Sequence, residues 1–282
     1  MSHPAIQEIV AVFGQPVAGN PTQYMMEKAF AQVGLDWRYL TLEVAPDVLG
    51  DAIAGMRAMG FRGCNLTIPH KVEVIKFLDR TSEAAALMGA VNCVNRVGNE
   101  LVGDNTDGKG FVQSLRGLTD PAGRNVVIFG AGGAARAIAV EVGLAGAAQI
   151  TIVNRAVERG EELVSLLNDK VHVASRYVKW EGAYEVPPEC EVVINATSIG
   201  LGDAEARVPL AVATLEPDMV VADVIFNPPE TRLIRDAKQR GCQTLDGLGM
   251  LVNQAVIAFK IWTGQNADPE VMRDALEEFL GL

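Results

Sequence analysis

Apolar and polar residues follow one another along this chain in two rhythms: short β-branched runs and longer stretches at helical spacing. Glu8–Phe13 is a compact apolar run ending at Gly14, and Gln23–Val33 carries apolar residues at helical spacing as far as Gly34. Trp37–Leu42 predicts a strand, Pro46–Met59 a helix, and Cys64–Ile68 a strand closed by Pro69. The rhythm resumes at Asn125–Phe129 (NVVIF), followed at once by a glycine-rich turn and a helix to about Ala145. A strand at Gln149–Val153 and a helix to about Leu167 come next. Strands at Glu191–Asn195 and Met219–Val224, then helices at Met250–Trp262 and Pro269–Phe279, complete the pattern. Such alternation predicts an α/β fold with mostly parallel sheets covered by helices. There is no repeat of solenoid period and no low-complexity linker. The expected organisation is two α/β lobes, the second inserted before the last helices.

The 282 residues, 49% hydrophobic and 21% charged, suffice for one large or two modest globular cores. A net charge of −11 argues against nucleic acid, whose binding needs clustered lysine and arginine, but leaves room for a local basic spot. Cys64, Cys93, Cys190 and Cys242 lie far apart and read as buried or free thiols in a reducing compartment. His3, His70 and His172 are too few and too scattered to suggest a metal site. The opening MSHPAIQEIV lacks the pattern of a signal peptide, and no apolar run approaches the length of a membrane span. A cytoplasmic protein with no membrane partner is expected.

Gly130-Ala131-Gly132-Gly133-Ala134-Ala135 fits G-x-G-x-x-A, with a buried strand before it and a helix after it, the context a dinucleotide turn requires. Gly130 permits the tight turn and Gly132 the approach of a pyrophosphate. Ala135 allows close helix–strand packing, and the helix N-terminus supplies amide donors. The next strand ends in Asn154-Arg155, where an NAD-binding unit would carry an acid. Arginine attracts a 2′-phosphate, so Arg155, helped by Arg159 one turn later, predicts NADP(H).

Three polar segments sit where a plain core would not place them: Asn65–Lys71 (NLTIPHK), Gly89–Asn92 (GAVN) and Gly103–Gly110 (GDNTDGKG). Singly, each has an ordinary reading as a cap, a turn or a solvated lysine. Together with GAGGAA, NRA at 154–156, NATSIG at 195–200, DVIFNPPET at 223–231 and GLGMLVNQ at 247–254, they resemble the shikimate dehydrogenase family in order and spacing, over nearly the whole chain.

That resemblance implies a substrate-binding domain formed by 1–106 plus 248–282 and an inserted Rossmann-like NADP-binding domain at 107–247. It implies Lys71 and Asp107 as the catalytic pair, and Asn65, Thr67, Asn92 and Gln254 as substrate contacts. Thr197, Phe226, Gly247 and Met250 fall on the cofactor side beside Gly130–Ala135, Asn154, Arg155 and Arg159. Chemically, reducing a ketone needs a hydride on one face and a proton at the oxygen, which a lysine beside a carboxylate can deliver. The implied activity is NADP(H)-dependent interconversion of a cyclic hydroxy acid and its ketone, with shikimate and 3-dehydroshikimate the first pair. The implied assembly is a monomer or homodimer.

The chain departs from the family at four places. The two serines that hold the substrate carboxylate become Asn20 and Thr22, still polar but differently shaped. The tyrosine of the D-x-x-Y segment is Phe226, and Cys93 and Ala156 replace hydroxyl residues. These changes keep open quinate or a related polyol acid as substrate. An idle NADP-binding sensor is the alternative of another class, against which Lys71, Asp107 and Gln254 weigh.

Overall fold

The computed structural model describes residues 6–282; the first five, His3 and the start of the leader reading among them, lie outside the described residues. The chain divides into two compact units, one running to Thr106 and resuming at Gln254–Leu282, the other Asp107–Asn253. The division thus falls after Asn253 rather than at 248. Gly247 lies so close to the Val224–Ile225 backbone that a Cβ would stand 2.4 Å from the Ile225 carbonyl oxygen. Asn253 Nδ2 donates to Ser114 Oγ at 2.8 Å, which holds this stretch in the second unit.

In the first unit the chain runs β1 (Glu8–Gly14), α1 (Thr22–Gln32), β2 (Trp37–Glu43), α2 (Leu49–Met59) and β3 (Gly63–Leu66). It continues through β4 (Arg80–Thr81), α3 (Glu83–Met88), β5 (Cys93–Val97) and β6 (Glu100–Asp104) to α4 (Thr106–Leu115), whose first residue closes this unit. The sheet order is β2-β1-β3-β5-β6-β4. Three of its five pairings are parallel, as the alternation predicts, but the sheet is mixed, because β5 runs antiparallel to both β3 and β6. For β5 and β6 the cause is local: Val97 pairs with Glu100, so Gly98–Asn99 forms a two-residue hairpin turn, with Gly98 at φ +62°. Alternate residues Ala11 and Phe13, Cys64 and Leu66 enter one core with Leu49, Ile53 and Met56 of α2, while Val10 and Val12 are buried as well. The last helices return to this sheet: Phe30 stacks on Phe259 at 5.3 Å, and Trp262 Nε1 donates to the Val94 carbonyl at 2.9 Å.

The second unit alternates β7 (Asn125–Phe129), α5 (Gly133–Leu144), β8 (Gln149–Asn154), α6 (Val157–Leu166), β9 (Ala174–Lys179) and β10 (Val192–Asn195). Then come β11 (Val220–Asp223), α7 (Arg232–Gln239) and β12 (Gln243–Leu245). Two further helices end the chain, α8 (Gly247–Thr263), which passes from the second unit back into the first, and α9 (Pro269–Leu280). The sheet order is β12-β11-β10-β7-β8-β9, with every pair parallel. Val127, Phe129, Val153, Val193 and Val221 fill its core with Trp180, Leu215 and Leu233. All four cysteines are buried free thiols, and burial pushes Cys190 up to about 12, so it stays protonated. Among the described residues no helix is long and apolar enough to cross a membrane, and no group of three metal-binding side chains comes together.

Candidate active site

In an open parallel sheet the strand order reverses at one point, and the carboxyl ends there leave a crevice that connections on either side cannot fill. Here that point is β7, flanked by β8 and β10. A cavity of about 450 Å³ opens where these three strands end. It is lined by Gly130–Gly132 after β7, Asn154–Ala156 and Arg159 after β8, Ala196–Ile199 after β10, and Trp180 after β9.

Gly130 stands at φ +108°, and a Cβ on it would lie 2.9 Å from the Ala196 carbonyl oxygen, so the turn tolerates only glycine. At Gly132 and Gly133 an added Cβ would meet nothing within 4 Å. Gly132 is the N-cap of α5 and offers no capping side chain, so first-turn amides remain for a ligand. Ala134 is half-buried, and Ala135, fully buried, lets α5 lie tight on the sheet. A dinucleotide's pyrophosphate fits this cradle, and the exposed Arg155 and Arg159 stand at its rim. Phe226, Gly247 and Met250, expected on the cofactor side, are not part of this lining. Gly247 has its own reason in the close backbone approach described above.

The loop after β10 is held from below by a buried polar chain. Thr197 Oγ1 donates to Asn195 Oδ1 at 2.7 Å, and Asn195 Nδ2 donates to Asp223 Oδ1 at 2.9 Å and to the Ile199 carbonyl at 3.2 Å. Asp223 Oδ2 accepts from Thr231 Oγ1 at 2.7 Å. Burial pushes the Asp223 carboxyl up to about 6 against these hydrogen bonds. Trp180 was not singled out from the sequence; Asn195, Ser198, Ile199, Asp223 and Thr231 lie in the NATSIG and DVIFNPPET segments but were given no site role there. Asn195 and Asp223 carried a signal, since each is a polar residue closing an otherwise apolar strand.

In the first unit the polar segments do converge. Tyr39 OH donates to Asn65 Oδ1 at 2.8 Å, and Asn65 Nδ2 donates to the Asn92 carbonyl at 3.0 Å. Asn92 Oδ1 accepts from the Thr106 backbone at 2.7 Å, and its Nδ2 donates to Thr106 Oγ1 at 3.0 Å. Val91 N donates to the Lys71 carbonyl at 2.7 Å, tying the segment after β3 to the one before β5. Asn92 thereby anchors the β6–α4 corner on which Asp107 follows directly, and Lys71 and Thr67 are both half-buried beside buried Asn65. Gln254 is buried too, at the start of the returning chain. Tyr39 is a further member the sequence hid: a tyrosine at a fully buried strand position whose hydroxyl has a partner, with burial raising it well above its ordinary value. Asn20 Oδ1 accepts from Thr22 N at 2.9 Å, which commits its carbonyl to the start of α1 and leaves its amide hydrogens for a ligand. Thr22 is buried, and Asn20 borders a cleft with Gln23, Tyr24, Thr41 and Phe279 that holds none of the other expected substrate contacts.

Residues 12–94 match the shikimate dehydrogenase substrate binding domain, 114–201 the shikimate/quinate 5-dehydrogenase domain, and 247–277 the shikimate 5'-dehydrogenase C-terminal domain. A shikimate dehydrogenase (NADP(+)) of Methanopyrus kandleri is 40% identical over 278 residues, 96% of each chain. The crystal structure of the ligand-free 5-ketofructose reductase of Gluconobacter sp. superposes with a TM-score of 0.96 at 50% identity, over 98% of this chain and 99% of that one. The Thermus thermophilus shikimate 5-dehydrogenase, in complex with NADP(H) and shikimate, gives a TM-score of 0.84 at 33% identity, over 97% and 100%. Matched along nearly its entire length, in sequence and in both of its units, this chain belongs to the shikimate dehydrogenase family.

Proposed function

We propose that the chain is an NADP(H)-dependent oxidoreductase that interconverts a cyclic hydroxy acid and its ketone, with 3-dehydroshikimate and shikimate as the pair. The carrying observation is the coexistence of two features: a phosphate-ready turn with Arg155 at its rim, and the convergent Asn65–Asn92–Thr106 cluster, which is tied through Val91 to the Lys71 backbone and leads into Asp107. The bound nicotinamide supplies the hydride. Lys71 and Asp107 act as an acid–base pair that delivers the proton to the ketone oxygen and offsets its developing charge. Asn65, held by Tyr39, keeps an amide hydrogen for a substrate hydroxyl, and Thr67 and Gln254 complete the polar lining. Asn92 acts chiefly by fixing Thr106 and so the start of the helix that carries Asp107. The curated relatives bear the shikimate name, so quinate is not favoured, and a cluster of this kind has no use in an idle sensor. A cytoplasmic enzyme accords with the buried free thiols.

A second reading is favoured by one specific site. The serine pair that would grip a carboxylate is altered: Asn20 lacks the hydroxyl and spends its carbonyl on the helix start, and Thr22 keeps a hydroxyl but adds a methyl. The relative at 50% identity is named for a neutral keto sugar. A polyhydroxylated ketone without a carboxylate is therefore the competing substrate class. The deciding experiment measures NADPH-dependent reduction of 3-dehydroshikimate and of 5-ketofructose side by side. A higher kcat/KM on 3-dehydroshikimate supports the first reading. A preference for the neutral ketone by about tenfold or more, the scale of one lost polar contact, replaces it with the second.

A further inference from the structure

A single arginine on a flexible stem is a weak reader of a phosphate, because fixing it loses considerable rotamer freedom. Arg155 is exposed at the rim of the nucleotide cavity, yet its guanidinium carbon lies 5.3 Å from the ring centroid of Trp180, over the indole face. Trp180 itself is fixed at three points, two of them on the indole. Its Nε1 donates to the Pro209 carbonyl at 2.8 Å, its backbone N donates to the Asn154 carbonyl at 3.0 Å, and its ring meets Phe129 with centroids 5.1 Å apart. Trp180 is thus only 7% exposed, rooted in the core of the second unit, with one face turned to a cation.

We propose that Trp180 is a positioning residue for cofactor choice: it holds the Arg155 guanidinium by its face, so that the N–H edge stands ready for the 2′-phosphate of NADP(H). Stacking and phosphate binding use different parts of the group. The π-cloud takes the flat face, while the in-plane hydrogens remain for two phosphate oxygens. The backbone hydrogen bond between Trp180 and Asn154 joins the platform to the residue preceding the arginine, so platform and reader move together. This proposal rests on the NADP(H) reading above, and goes beyond it by assigning the discrimination to a pair rather than to a charge.

The test compares kcat/KM for NADPH and NADH in wild type, Trp180→Leu, Trp180→Phe and Arg155→Gln, and in the Trp180→Leu, Arg155→Gln double variant. Trp180→Leu is expected to lower the NADPH-over-NADH ratio by about fivefold, the scale of an exposed cation–π pair. Trp180→Phe, which keeps a ring face, should fall between it and wild type. In the Arg155→Gln background the loss of Trp180 should leave the ratio where Arg155→Gln alone put it. Equal losses on both cofactors, or the same fall in ratio without Arg155, would overturn the proposal and leave Trp180 a core residue. Should Trp180→Leu not fold, calorimetry on Trp180→Phe with 2′,5′-ADP and 5′-AMP decides: a reduced preference for 2′,5′-ADP supports the proposal, and an unchanged one overturns it. A wild type that itself favours NADH overturns instead the cofactor reading beneath it.

Discussion

Asp223 is a carboxyl buried beneath the nucleotide cavity, where three donors reach it: Thr231 Oγ1, Asn195 Nδ2 and Ile225 N. Desolvation outweighs these donors and lifts its pKa from 3.8 to about 6, so the folded protein holds this proton more tightly than the unfolded chain. The stabilising contribution is therefore full below about pH 4 and is lost as pH rises through about 6, a change on the order of 3 kcal/mol. Asp223→Asn has no proton to lose there. Its melting temperature relative to wild type should improve as pH is raised from about 4 to about 7, on top of any constant offset from altered hydrogen bonds. Parallel profiles for the two proteins would mean that Asp223 titrates as an ordinary exposed carboxylate. At this same scale the sequence singled out Arg155 by its position after a strand, while Trp180 and Tyr39 stayed hidden. Each is an aromatic residue in an apolar context, and only the fold reveals what its polar or π-face meets.

Among elements, the β7–turn–α5 unit was the most legible, because a continuous apolar strand, a glycine pattern and an alanine-rich helix are all local signals. Its rigidity has a testable consequence. Gly130→Ala would force a side chain into φ +108° and within 2.9 Å of the Ala196 carbonyl oxygen. Backbone strain of about 1–3 kcal/mol is expected. Thermal unfolding should fall by about 5 °C, and calorimetric affinity for NADPH should weaken with it. A variant with unchanged melting and affinity would show that the turn does not need its glycine. The β5–β6 hairpin escaped notice because its strands are short, and Asn95, Arg96 and Glu100 break the apolar run. Helix α7 escaped for a similar reason. Its sequence RLIRDAKQ is half charged, and it is defined by the Thr231 cap and by Leu233, Ile234 and Ala237 facing the core.

For the molecule as a whole, the residues that line the nucleotide cavity all belong to Asp107–Asn253, whereas Lys71 belongs to the other unit. Chemistry and cofactor affinity should separate accordingly. Lys71→Ala is expected to lower kcat by about a hundredfold or more, the range of general acid–base catalysis, while the Kd for NADPH stays within about twofold. A variant with near-normal kcat would remove Lys71 from the proposed mechanism, and a large loss of NADPH affinity would contradict the separation. The α/β class and cofactor type were readable from one dimension, because strand–helix periodicity, a glycine turn and the strand-end arginine are statements about neighbours in the chain, and the family was readable as a resemblance carried by short motifs in order and spacing. Tertiary structure alone decided the rest. The antiparallel pairing of β3 with β5, the exit from the second unit at Asn253, the Tyr39–Asn65–Asn92–Thr106 chain and the indole under Arg155 join residues distant in sequence, and hydrogen bonds and stacking at such range leave no periodic trace in the order of residues.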